Sequence, residues 1–116
     1  MRSSKQTLNS SLKKQVYALF DQVFADIKTP EEAHLILSDL LKPNEYELFV
    51  KRLAISYYLA KGRSYKNIKD NLKVSSATIA SVQPLLESKG IKHAIKLMEA
   101  EEWANKWSEK FKKLVK

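Results

Sequence analysis

The chain has 116 residues, and its 21 Lys and Arg against 13 Asp and Glu give a formal net charge of +8. It has 0 Cys, which excludes disulfide frameworks, thiolate zinc sites and cysteine nucleophiles. No apolar run approaches the roughly 20 residues that span a bilayer, and the polar start lacks the apolar core of a signal peptide. We therefore expect a cytoplasmic protein without membrane contact.

Apolar residues recur at helical spacing along most of the chain and predict an all-α fold of six to seven helices. We expect residues 1–11 to form a flexible N-terminal segment, residues 12–98 a helical domain, and residues 99–116 a basic amphipathic helical extension. The extension is predicted to pack against the domain. A contact with DNA phosphates is an alternative. A position on a membrane surface is less favoured because glutamates interrupt the positive charge.

The first two predicted helices are each amphipathic. The first carries one apolar stripe, formed by Leu12, Val16, Leu19, Phe20, Val23, Phe24 and Ile27. Such a stripe must pack against the rest of the chain or against a partner subunit. The second helix runs from Pro30 to Leu41, because Thr29 is a good cap and proline suits the first helical position.

The third helix is predicted from Pro43 to Lys61, with Gly62 as its left-handed terminator. Apolar residues on most of its sides predict a central, buried helix. Arg52 is unusual in this setting, and we expect it to have a structural role, pairing with a carboxylate such as Glu47 or Glu45 or with a helix end. The last helix follows Gly90, with a possible break near Glu102.

The stretch from 64 to 83 has the pattern of a helix-turn-helix. Five apolar residues stand where two short helices must be clamped at a fixed angle: Ile68, Leu72, Val74, Ile79 and Val82. Ser64 can cap the first helix, and Ser75 or Ser76 the second. Lys69 and Lys73 depart from the usual pattern, because they replace an alanine and the glycine of the turn. We therefore expect Lys73 to adopt a strained or altered turn conformation.

This motif predicts a transcriptional regulator that binds double-stranded DNA. We expect it to repress transcription. The residues expected to contact bases lie at the start of the second helix: Ser76, Ala77, Thr78, Ala80 and Ser81. Phosphate contacts are expected from a set of cations: Arg63, Lys66, Lys69, Lys73 and Lys89. The alternative interpretation of the hydroxyl residues is capping and solubility, and some of the cations will only be solvated.

The run DLLKPNEYELFVKRLAISYYLAKGRSYKNIKDNLKVSSATIASVQ resembles the Trp-repressor-like family, especially its YerC/YecD-like branch. DIKTPEEAHLILSDL upstream and IKHAIKLM downstream are similar to the branch too, so that the resemblance covers Leu12 to Met98. It implies an intertwined helical homodimer whose two helix-turn-helix units read a palindromic operator. The N-terminal helix and the long third helix would contribute to the dimer interface.

The resemblance also implies a possible effector site, because the Trp repressor clamps tryptophan with two arginines. Arg52 matches the first of them, whereas Ser81 stands at the position of the second. This loss argues against tryptophan as corepressor, and we expect no cofactor; whether another small-molecule effector binds is not predicted.

Three other functions compete with DNA binding as interpretations of the sequence. A protein-interaction module of the transcription machinery is the main alternative, and exposed Trp103 and Trp107 would favour it. RNA binding is less favoured because the sequence lacks an aromatic stacking platform. We expect no enzyme, no catalytic residues and no metal site, because His34 and His93 are isolated and the chain has no phosphate-binding glycine loop.

Overall fold

The computed structural model describes the backbone of residues 9–114 and the side chains of residues 9–106. This range contains helices and no strand, which confirms the predicted all-α fold. The helices are α1 Ser10–Ala25, α2 Pro30–Leu40, α3 Pro43–Ala60, α4 Tyr65–Leu72, α5 Ser76–Val82, a 3-10 helix Gln83–Glu87, and α6 Lys89–Leu114. None of them is long and apolar enough to cross a membrane within the described range.

Parts of two predicted segments lie outside this range. The first eight residues of the flexible segment expected at 1–11 are not described, and α1 already begins at Ser10. Several apolar and basic side chains of the amphipathic extension predicted at 99–116 are also outside it: Trp107, Lys110, Phe111, Lys112, Lys113 and Lys116.

The chain divides into two compact units, residues 1–43 and 44–116. In the first unit, Asn9 caps α1 by accepting a hydrogen bond from the Ser11 amide at 2.9 Å. Thr29 caps α2 as predicted, because its hydroxyl accepts from the Glu32 amide at 3.1 Å and Pro30 takes the first turn. Neither helix has a buried residue. Both caps therefore fix where the helices start, while most of the apolar stripe of α1 stays exposed.

In the second unit, only the C-terminal half of α3 is buried. Ile55 and Ser56 are fully buried, but Leu48 and Phe49 are 51% and 49% exposed. The expected central, buried helix is therefore found only in the C-terminal half of α3, because the core cluster takes its α3 contacts from Ile55 onward. The end of α3 agrees with the prediction, since Gly62 has a φ of +79°.

The last helix, α6, runs without a break from Lys89 to Leu114, so the break considered near Glu102 does not occur. Glu102 supports the helix there, because its carboxylate pairs with Lys106 at 3.3 Å, one turn further on. The same carboxylate accepts a hydrogen bond from the Tyr57 hydroxyl of α3. This contact attaches α6 to the end of α3.

Candidate DNA interface

The two short helices α4 and α5 are held together by the apolar residues that the sequence pattern selects. Ile68 of α4 and Ile79 of α5 are fully buried, and Val82 is 4% exposed. They form one cluster with Ile55 of α3, and partly buried residues surround it, among them Leu72 and Val74. Burial of one such side chain contributes about 1.5–3 kcal/mol. The helix-turn-helix therefore shares its core with α3.

The turn between the two helices depends on Lys73. It has φ 56° and ψ 51°, the left-handed conformation, and its amide donates to the Lys69 carbonyl at 2.9 Å. A side chain in this region costs about 1–2 kcal/mol relative to glycine. The strained turn expected from the sequence is therefore present, with the lysine taking the place that glycine usually holds.

Each helix of the motif begins at a serine cap. The Ser64 hydroxyl accepts a hydrogen bond from the Asn67 amide at 3.1 Å, and the Ser75 hydroxyl accepts one from the Thr78 amide at 3.1 Å. Such a cap stabilises a helix by about 1 kcal/mol. Ser75 is therefore the cap of α5, and Ser76 is the first helical residue.

The outer face of α5 is open to solvent. All five residues expected to contact bases are exposed: Ser76, Ala77, Thr78, Ala80 and Ser81. Two of their hydroxyls also bind locally, since Thr78 pairs with the Ser75 hydroxyl at 2.9 Å and Ser81 donates to the Thr78 carbonyl at 2.6 Å. A hydroxyl in one hydrogen bond keeps further acceptor capacity. The face therefore offers small side chains and accessible hydroxyls.

The cations expected to contact phosphates are also exposed. Lys66 and Lys69 are three residues apart on α4, a spacing that places them on one face of the helix, and Lys73 follows in the turn. Lys89 belongs to another element, because it is the first residue of α6. The structure thus brings Lys66, Lys69 and Lys73 together on the motif itself.

Arg63 is held in place by two neighbours that the sequence reading did not select. Its guanidinium carbon lies 4.2 Å from the ring centroid of Tyr58, and the same group donates to the Asn67 side-chain carbonyl at 3.3 Å. Stacking on an aromatic face leaves the edge of a guanidinium able to donate. The contact between Arg63 and Asn67 could have been predicted from the sequence, because the two residues have i, i+4 spacing.

A pocket of about 330 Å³ lies between α3 and the helix-turn-helix. Its lining combines apolar, cationic and hydroxyl side chains: Leu48, Lys51, Arg52, Lys73, Val74, Ser75, Thr78, Ser81 and Val82. Glu47, one of the partners expected for Arg52, pairs instead with Lys51 at 3.2 Å. The Arg52 guanidinium lies 5.5 Å from the Phe49 ring centroid.

This pocket does not fit the tryptophan clamp that the resemblance implies. Arg52 and Ser81 both line it, as the expected correspondence requires. However, the Ser81 hydroxyl points its hydrogen at the Thr78 carbonyl and supplies no positive charge. A hydroxyl cannot replace the paired, charged donors of a guanidinium toward a carboxylate. The pocket therefore retains one of the two groups that would hold an amino-acid ligand.

No group of three or more metal-ligating side chains occurs in the described range. His34 contacts the Ser38 hydroxyl at 3.3 Å on the exposed surface of α2. His93 is exposed on α6. The best candidate for a binding site is thus α5, which is capped and exposed, together with the cations near it.

Comparison with known proteins supports this interpretation of the motif. The family model described as Trp repressor protein matches residues 14–101, which include every helix-turn-helix residue named above. No curated protein and no solved structure matches the chain. The family consists of DNA-binding regulators. The YerC/YecD-like branch stays a prediction, but because the match covers well over half of the sequence, the chain belongs to the Trp repressor family.

Proposed function

We propose that this protein is a transcriptional repressor that binds double-stranded DNA sequence-specifically through α4 and α5. One observation supports this above the others. Ile79 and Val82 fix α5 in the core, while Ser76, Thr78 and Ser81 on its other side are exposed. A major-groove reading helix needs this combination of a fixed inner face and an accessible outer face.

The charges around α5 support DNA as the partner. Lys66, Lys69 and Lys73 are exposed on the motif, and Arg63 is held at its edge by Tyr58. Since α5 carries no lysine or arginine of its own, these cations supply the phosphate contacts and α5 supplies base contacts. Its hydroxyls and small side chains suit base edges and thymine methyl groups.

We further propose that the protein acts as an intertwined homodimer. Apolar residues on α1 and on the first half of α3 are about half exposed, among them Val16 at 43%, Phe20 at 52% and Phe49 at 49%. Large exposed apolar surfaces of this kind mark interaction sites. A second copy of the chain would cover them, and two copies would present two reading helices to a palindromic operator.

The proposed regulator works in the cytoplasm, without catalysis and without tryptophan as corepressor. The absence of a second guanidinium in the pocket beside Arg52 supports the last point. DNA binding would then depend on the position that α5 has in the protein without a bound corepressor.

Selection of bound fragments from random or genomic DNA tests the proposal. We expect an enriched inverted repeat with half-site centres about 10 base pairs or a multiple apart. Replacement Thr78→Ala should change the enriched sequence, whereas Leu35→Ala on α2 should not. Recovery of fragments without any shared sequence would contradict sequence-specific binding.

Trp103 supports a second candidate, a protein-interaction module. Its side chain is 63% exposed beside a small groove lined by Lys61, Glu99, Glu102 and Lys106. Tryptophan is enriched in protein interfaces and among the residues that contribute most to binding. The two candidates differ in outcome, because Trp103→Ala would leave fragment selection unchanged if DNA is the partner of α5.

A further inference from the structure

A hydrogen bond closes the helix-turn-helix at the end opposite to its turn. The hydroxyl of Tyr65, the first residue of α4, donates to the side-chain carbonyl of Gln83 at 2.8 Å. Gln83 is the C-cap of α5 and the first residue of the 3-10 helix. The bond thus joins the start of the first helix to the end of the second.

This contact restrains a motion that the apolar clamp leaves open. The N-terminus of α5 is fixed by the turn at Lys73, and apolar packing holds its middle at Ile79 and its last residue, Val82. Apolar contacts have no preferred direction, so they resist separation of two helices more than a tilt between them. A hydrogen bond is directional and resists the tilt.

The size of such a tilt is relevant to base reading. With a rise of about 1.5 Å per residue, α5 is about 10 Å long, and a tilt of about 10° at its start moves its end by about 2 Å. A displacement of this size breaks a hydrogen bond to a base edge. Ser81, near the end of the helix, would be displaced more than Ser76.

The contact adds little to global stability, because it lies at the surface. Tyr65 is 38% exposed and Gln83 is exposed. Water can replace either partner when the bond is lost, so no buried polar group remains unsatisfied. Loss of the bond should therefore affect the position of α5 without unfolding the protein.

We propose that Tyr65 is a positioning residue, whose hydrogen bond to Gln83 sets the angle of the reading helix and thereby the selectivity for operator sequence. This inference rests on the proposed DNA-binding function for its selectivity, but its structural part stands without DNA. Tyr65 is neither assigned a base contact nor needed for charge.

The test compares three variants by amide hydrogen exchange on the full chain without DNA. Tyr65→Phe and Gln83→Met each remove one partner of the bond, and we expect both to speed exchange in α5 about two- to tenfold. Gln83→Glu keeps an acceptor and should retain the wild-type rate. The matched control is Tyr57→Phe, which removes the tyrosine hydrogen bond between α3 and α6 and should not change exchange in α5.

The second measurement is the ratio of affinities for the selected operator and for a scrambled duplex at one salt concentration. Tyr65→Phe and Gln83→Met should lower this ratio several-fold, the double variant no further, and the thermal midpoint should stay within about 2 °C of the wild type. Unchanged exchange in α5 overturns the inference, even if Tyr65→Phe weakens DNA binding. If the wild type shows no preference for any sequence while α5 exchange responds, the DNA-reading function fails and the positioning role stands.

Discussion

Ile68 of α4 and Ile79 of α5 are both completely buried, and they meet in one cluster with Ile55 of α3. This relationship fixes the helix-turn-helix to α3. It also separates the two sides of α5, because the residues beside Ile79 on the outer face are exposed. The reading face exists because the opposite face is fully packed.

Replacing Ile79 by alanine should destabilise the protein by about 2–5 kcal/mol, because it opens a cavity in this cluster. Ile79→Val removes one methylene and should cost about 0.5–1.5 kcal/mol. Ala80→Ser, on the exposed face of the same helix, should stay within about 0.5 kcal/mol of the wild type. Denaturant unfolding followed by circular dichroism measures all three. Equal effects at positions 79 and 80 would contradict the observed packing.

Glycine should have opposite effects at two lysines of α4 and its turn. Lys73→Gly should stabilise the protein by about 1 kcal/mol, because φ 56° is strained for a side chain and free for glycine. Lys69→Gly should destabilise it by about 1 kcal/mol, because Lys69 lies within the helix. Both changes remove one charge, so each controls for the other. A shift of the thermal midpoint in the same direction for both would contradict the left-handed conformation at Lys73.

The proposed dimer predicts a charge-sensitive face on α1. Val16→Asp places a carboxylate among the exposed apolar residues and should shift the protein to monomers in sedimentation equilibrium. Ala18→Asp adds the same charge on the opposite side of the helix, by its helical spacing, and should leave the association state unchanged. Dimers of equal stability in both variants would place the interface elsewhere.

Tryptophan should not affect the protein at millimolar concentration. The pocket has Arg52 but a hydroxyl at Ser81, so the second guanidinium of the tryptophan clamp is missing. We expect no shift of the thermal midpoint and no change in operator affinity when tryptophan is added. A saturable increase in either quantity would show that the pocket binds the amino acid in another way.

Much of the fold follows from local rules. The caps Thr29, Ser64 and Ser75, the stop at Gly62 and the five clamping residues of the motif all depend on residues close in sequence. Periodicity and capping chemistry encode such features directly. The start of α5 and the strained turn before it could therefore be predicted from the sequence.

The features that could not be predicted join distant parts of the chain. The Tyr65–Gln83 and Tyr57–Glu102 hydrogen bonds depend on how helices pack, and no spacing rule reveals them. Arg52 differs from these two bonds, because its guanidinium lies over Phe49 of the same helix. Glu47, one of the carboxylates expected to pair with Arg52, binds Lys51 at the favourable i, i+4 spacing. The extent to which α3 is buried could not be predicted either, because apolar composition does not show which protein surface covers a helix.

The salt dependence of operator affinity is the decisive measurement, made for the wild type and for the double variant Lys66→Ala/Lys69→Ala. If both lysines contact phosphates, the double variant should bind every duplex more weakly, and the slope of log K against log salt should become shallower by about 2. Lys13→Ala/Lys14→Ala removes the same charge from α1 and should keep the wild-type slope. An unchanged slope in the Lys66/Lys69 variant would show that α4 does not face the DNA.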